Sequence, residues 1–266
     1  MTISEDTYDL TALDTALAGT PFSGNIRYFP TIHSTNVLAM READEGAPEG
    51  MVYLADEQTA GRGRGAHGWQ STRGDGLYVS VLLRPRVAPA DVLWLSLAAG
   101  LAVREAVRQI TFLEADIRWP NDLLLGKKKF CGILTELNAE VTRVRHAVVG
   151  IGINVHQETF AGELGRIACS LRSETGRSWP RQDLLIALLQ SLYGKAQTLS
   201  AETDSAASNI LSRMESASTW IRGRHVYVDE EGGYSGVTAG LDPRGFLRVR
   251  TEHGLKTVHS GGVRDQ

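Results

Sequence analysis

Little in this chain would staple it, carry it into a membrane or draw it to a polyanion. It has only two cysteines among 266 residues, Cys131 and Cys169, and their spacing suits neither a disulfide framework nor a metal site. In a reducing compartment both read as small core residues. Lys and Arg total 28 against 31 Asp and Glu, a net charge of −3 that gives no global attraction to nucleic acid. No stretch approaches the roughly 18 consecutive apolar residues of a membrane span, and the acidic, polar N-terminus lacks the basic-then-apolar pattern of a signal peptide. The expectation is a cytoplasmic protein with no membrane and no nucleic-acid partner. No internal repeat at solenoid period is visible.

What is present suits a folded α+β body. Apolar residues make up 42% of the chain, enough for a proper core. Helices are expected from Leu10 to Ala18, from Ser34 or Thr35 as N-cap to about Glu42, and from Ala90 to Gln109, where Val92, Leu93, Leu97, Leu101, Val103 and Val107 recur at helical spacing. Two more are expected between Gln182 and Met214, separated by a polar Ser/Ala/Glu segment. Strands are expected at Met51 to Ala55, Gly76 to Leu83, Ile117 to Leu125, Gly132 to Leu137 and Ala147 to Val155. The texture changes at Trp220. From Gly223 to Val263 short alternating strands are separated by turns such as Asp242-Pro243-Arg244-Gly245, a pattern suited to a small antiparallel barrel. The division expected is a catalytic body over residues 1–218 and a barrel over 219–266.

Chemistry concentrates in four segments. Between Glu57 and Trp69, Gly61, Gly63, Gly65 and Gly68 alternate with Arg62 and Arg64. Glycines let backbone N–H groups approach a ligand closely, and guanidinium forks bind carboxylate or phosphate oxygens, so this loop is built for anions. Gly-Arg repeats also occur in disordered nucleic-acid tails, but the strand-like flanks here argue for a connection inside a folded domain. Arg118-Trp119-Pro120-Asn121-Asp122 reads as a turn that aims side chains off a strand end. Lys127-Lys128-Lys129 leads into a strand containing Gly132, and Gly150, Gly152 and Asn154 interrupt a run of Val and Ile. Singly, these segments have ordinary explanations as a turn, a solvated hairpin tip and a close-packing strand. Together and in this order, they are much less expected by chance.

The set resembles the biotin protein ligases, also called biotin–acetyl-CoA-carboxylase ligases. The stretches that carry the resemblance are Ser34-Thr35-Asn36, Gln58 with Ala60-Gly61-Arg62-Gly63-Arg64 and Trp69, Trp119-Pro120-Asn121-Asp122-Leu123, Lys129 with Gly132-Ile133-Leu134 and Glu136, and Gly150-Ile151-Gly152-Ile153-Asn154-Val155. The resemblance implies a mixed sheet with helices, similar to class II aminoacyl-tRNA synthetases, plus a small SH3-like C-terminal barrel. It implies activation of biotin by ATP to biotinyl-5′-AMP, then transfer to a lysine of a biotin carboxyl carrier protein domain. By the same resemblance Ser34, Thr35, Asn36 and Gln58 hold the biotin head, and Arg62, Gly63, Arg64 and Lys129 enclose its carboxylate and the phosphate. Gly61, Trp69, Trp119, Asn121 and Asn154 join Arg62, Gly63 and Arg64 on the adenylate side. Plain core packing is the competing explanation for either tryptophan. Lys129, Asp122 and Arg64 are the expected catalytic groups, with Asp122 orienting the incoming lysine and helping to take its proton.

No carboxylate cage for a metal is visible, so Mg²⁺ is expected to be carried by the nucleotide phosphates. The first 25 residues have no room for the DNA-binding domain of many relatives, which points to a monofunctional form, monomeric or homodimeric. Two departures stand out: Ala66 and His67 occupy positions where the family pattern has a Gly-Arg pair, and Arg118 stands where lysine is common. A lipoate ligase of the same fold, or a biotin sensor without transfer activity, are the competing readings.

Overall fold

The computed structural model describes residues 8–65, 67–200, 204–230, 232–259 and 261–266. Ala66, one of the two loop departures, and the segment between the two late helices lie outside these residues.

Helix α1 (Leu10–Ala16) starts at Asp9, whose carboxylate accepts from the N–H groups of Thr11 and Ala12. Strand β1 (Ile26–Phe29) and helix α2 (Thr35–Asp44) follow, the latter capped by Ser34. Next come β2 (Val52–Ala55), β3 (Gly76–Leu83), the long helix α3 (Leu93–Thr111), β4 (Asp116–Arg118), β5 (Asp122–Leu125), β6 (Lys128–Ala139) and β7 (Val144–Asn154). The single strand expected over Ile117 to Leu125 is thus a hairpin. Pro120 has no N–H to donate to a ladder, and β4 and β5 pair antiparallel on either side of it. Short helices α4 (Leu164–Ile167) and α5 (Leu171–Thr175) precede α6 (Arg181–Ser200) and α7 (Asp204–Ala217). Neither short helix was expected, because four or five residues are too few to display a helical period. The chain ends in β8 (Arg222–Val228), β9 (Tyr234–Leu241), β10 (Leu247–Thr251), β11 (Gly254–Val258) and β12 (Val263–Asp265).

Two sheets result. The larger runs β1-β2-β3-β7-β6-β5-β4, with β1 and β2 parallel and the other pairs antiparallel, so it is mixed. The smaller is antiparallel, in the order β11-β10-β9-β8-β12. Helix α2 covers one face of the large sheet, while α3 and α6 cover the other, so every residue of β3 is buried. Because side chains alternate along a strand, Leu77, Val79 and Val81 of β3 and Val149, Ile151 and Ile153 of β7 enter the main core. That core also takes in Cys131 and Cys169, and it continues into the small sheet through Val226, Val228, Leu247 and Val249.

The opposite face carries smaller residues. Ser80 pairs with Gly150, which pairs with Leu134, and Tyr78 pairs with Gly152, which pairs with Gly132. A serine and three glycines at adjacent register positions leave a hollow in the sheet face. No helix among the described residues is long and apolar enough to cross a membrane.

Candidate active site

The hollow is a cleft of about 460 Å³, counting its open mouth, a size common for small-molecule sites. One wall is neutral and built from α2. A Cβ at Gly150 would run into the Asn36 carboxamide, so only glycine lets the α2 side chain lie on the sheet. Asn36 then donates to Glu136 Oε2 (3.0 Å), and its Oδ1 accepts from Ser80 Oγ (2.5 Å). Ser80 Oγ also reaches Thr35 Oγ1 at 2.7 Å. Gln58 Oε1 accepts from the Thr35 N–H (2.9 Å) and hydroxyl (3.1 Å), while its Nε2 donates to Ser71 Oγ (2.9 Å). Each amide is thereby held in a fixed sense, as buried polar groups require. Ser34 lines the cleft as well, its hydroxyl at the N-terminus of α2.

The other wall is charged. The loop from Gln58 to Ser71 folds back on itself: the Gly63 N–H donates to the His67 carbonyl (2.8 Å), and the Trp69 N–H to that of Gly61 (2.9 Å). Gly61 itself serves this fold-back, since a Cβ there would meet the Trp69 carbonyl at 2.5 Å. Arg62 pairs with Glu136 at 3.2 Å, joining the two walls. Arg64 donates to Asn121 Oδ1 (3.1 Å), and Asn121 in turn donates to the Ile133 carbonyl (2.9 Å). His67 turns inward on the loop, Nδ1 3.1 Å from the Arg64 carbonyl. Lys129 Nζ sits 2.6 Å from Asp122 Oδ1 and 5.3 Å from the Trp69 ring centroid. Trp69 lies over Gly152 and Gly132, where a Cβ would come within 2.5 and 3.0 Å of its indole.

Asp122 stands behind Lys129. Its second oxygen takes Arg118 Nη2 at 2.5 Å. Burial pushes the carboxyl pKa up, but the two cations outweigh it and hold the group below its ordinary value.

Chains of known identity are similar to this one in sequence and in fold. Residues 28–154 match the biotin/lipoate A/B protein ligase family. The bifunctional ligase/repressor BirA of Bacillus spizizenii is 34% identical over 246 residues, covering 89% of this chain and 72% of that protein. The biotin–[acetyl-CoA-carboxylase] ligase of Mycobacterium tuberculosis is 40% identical over 129 residues, 47% of each chain. A biotin protein ligase from Aquifex aeolicus, solved in complex with biotin and ATP, superposes with a TM-score of 0.76 at 30% identity, covering 90% of this chain and 97% of that one. This chain belongs to the biotin protein ligase family.

Within this family member, Ser34, Thr35, Asn36, Gln58, Arg62, Gly63, Arg64, Trp69, Asn121 and Lys129 come together around the cleft. Three of the expected adenylate-side residues, Gly61, Trp119 and Asn154, are not among the residues lining it. Trp119 is 3% exposed, packs in the main core and donates its indole N–H to the Gly245 carbonyl (2.9 Å), so it joins the two sheets. Asn154 is buried too, donating to the Cys169 carbonyl (3.0 Å) and so tying the end of β7 to the turn before α5. Sequence reasoning passed over Ser80, the buried hydroxyl between Thr35 and Asn36, and Ser71, the partner of Gln58. Ser80 is the one polar residue in an otherwise apolar strand, and that was the available signal.

Proposed function

We propose that this chain is an ATP-dependent biotin ligase that makes biotinyl-5′-AMP and passes the biotinyl group to a lysine of a biotin carboxyl carrier protein domain. The observation behind this reading is that Arg62, Arg64 and Lys129 meet at one cleft whose facing wall is neutral and rich in fixed amides and hydroxyls. A ureido ring needs several such neutral partners, and a carboxylate brought against a triphosphate needs fixed positive charge.

In the first half-reaction a biotin carboxylate oxygen attacks the α-phosphorus and pyrophosphate leaves with its bonding electrons. Arg62, Arg64, Lys129 and the N–H groups of the glycine loop offset the charge that gathers there. Mg²⁺ enters this reading with the nucleotide phosphates. In the second, a neutral lysine amine attacks the anhydride carbonyl carbon, AMP departs with the carbon–oxygen electron pair, and the amine sheds a proton.

The expected part for Asp122 narrows here. A carboxylate already engaged by two cations and held in its ionised form is a weak proton acceptor, yet it keeps lone pairs to orient an incoming amine. Asp122 thus steers the nucleophile, and the proton passes to the phosphate of the departing AMP or to water.

In this reading residues 1–218 form the catalytic body, akin to class II aminoacyl-tRNA synthetases, and residues 219–266 an SH3-like barrel. The test mixes the protein with ATP, Mg²⁺, a carrier domain and either biotin or lipoate. Biotinylation is the expected result. Lipoylation would reassign the substrate, and biotin binding without modification would make the protein a sensor.

A further inference from the structure

The segment that leads into the small sheet clamps β4 residue by residue. Ser218 Oγ donates to the Ile117 carbonyl (2.5 Å), and Thr219 donates to Asp116 through its N–H (2.9 Å) and hydroxyl (2.6 Å). The Trp220 ring then lies 5.5 Å from the Arg118 guanidinium carbon and 3.9 Å from that of Arg224. Arg224 is fixed in turn by a two-pronged pair with Asp265 on β12, at 2.5 and 2.7 Å.

The far end of this chain of contacts is the cleft. Arg118 grips one oxygen of Asp122 and Lys129 the other, and of these three only Lys129 lines the cleft. A guanidinium held over an indole loses freedom to wander, and cation–π attraction favours its charged form in that place.

We propose that Arg118 is a positioning residue for the transfer step, held by Trp220, through which the C-terminal sheet orients Asp122. With Arg118 on one oxygen, Asp122 keeps a fixed plane. Lys129 then bears only part of the carboxylate's attraction and stays free to lean toward an anion in the cleft. This inference rests on the ligase reading, because it concerns the second half-reaction of that activity.

The experiment uses the full chain as wild type, Arg118→Gln, Arg118→Lys, Trp220→Leu and Arg224→Gln. Adenylate formation is read by pyrophosphate exchange, and transfer by single turnover from enzyme preloaded with biotinyl-5′-AMP. Thermal melting accompanies each variant. Arg118→Gln should slow transfer about tenfold to a hundredfold while changing exchange far less, the size of effect a misplaced orienting group has. Arg118→Lys should restore most of the rate, since an ammonium still reaches the carboxylate. Trp220→Leu should slow transfer in the same selective way, and Arg224→Gln less.

The groups facing Asp122 are Arg118 from β4, Lys129 and Cys131 from β6, and Arg64 from the loop. Loss of one of its two paired cations should move the acid limb of the transfer profile to higher pH in Arg118→Gln, a shift that a merely structural role would not produce. Should Trp220→Leu misfold, Arg118→Gln against Arg118→Lys decides the matter alone. Equal losses in both half-reactions, or transfer at the wild-type rate in folded Arg118→Gln, would overturn the inference and leave the ligase reading intact. A wild-type protein that forms no adenylate would overturn both.

Discussion

The two walls of the cleft are made of the same sheet face, but they satisfy their polar groups in different ways. On the neutral wall Thr35, Asn36, Gln58 and Ser80 are paired among themselves and with Glu136 and Ser71, and all but Gln58, which opens the loop, stand on α2 and the central strand β3. On the charged wall Arg62, Arg64 and Lys129, with Arg118 behind Asp122, face two carboxylates, Asp122 and Glu136, and they come from a glycine loop and strands β4 and β6. The first wall keeps its shape without help. The second carries surplus positive charge, so its arrangement is completed by an anion brought from outside. In the proposed function, shape recognition falls to the first wall and electrostatic catalysis to the second.

The sharpest way to break that contrast is at Lys129. Lys129→Ala should cost about 3–4 kcal/mol in each half-reaction, the value of a preorganised charge at a developing anion. Normal pyrophosphate exchange would remove Lys129 from the site. On the neutral wall the matching change is Gly150→Ala, which drives a methyl into Asn36. It should lower stability by about 1–3 kcal/mol, as overpacking does, and weaken biotin binding together with it. Calorimetry that finds both unchanged would mean the wall is not rigid.

Arg64→Gly should leave adenylate formation measurable but loosen the loop's grip by about 1.5–3 kcal/mol, one charge-assisted hydrogen bond, so that biotinyl-5′-AMP escapes. Chromatography of the released intermediate checks this, and full turnover with none in solution would count against loop closure.

The smallest effect is expected at His146, buried beneath the end of α2 beside Asp44. Burial lowers its pKa despite that carboxylate, with Arg84 and Arg145 adding to the effect. Acidification below about pH 6.5 therefore protonates the unfolded chain before the folded one, and stability falls. His146→Phe should flatten the melting temperature between pH 7 and 5. An unaltered slope would show that this histidine is not the group responsible.

Legibility differed between these regions for a physical reason. Glycines at Gly150 and Gly152, the Gly-Arg loop and the Lys129 segment announce themselves, because close backbone approach and anion binding demand particular residue types at short spacing. The β3 and β7 patterns likewise declared buried strands. What escaped were groups whose role depends on a partner far along the chain: Ser80 with Asn36, Trp119 with Gly245, Trp220 with Arg118. An indole beside a Pro-Asn turn looks the same in a sequence whether it faces a nucleotide or a second sheet.

By itself, then, the amino-acid order determined most of the elements, the glycine–arginine character of the loop before Trp69 and the membership of the chain in its family. These depend on local periodicity and on residue types that neighbours in the chain make meaningful. Only the tertiary structure decided which tryptophan enters the cleft, that Asp122 is shared between two cations, and that Trp220, just before the last strands, lies against Arg118. The contacts of Trp69 and Trp220 join residues tens to more than a hundred positions apart, and even Asp122, whose cations are four and seven residues away, meets both only because β4, β5 and β6 pair side by side.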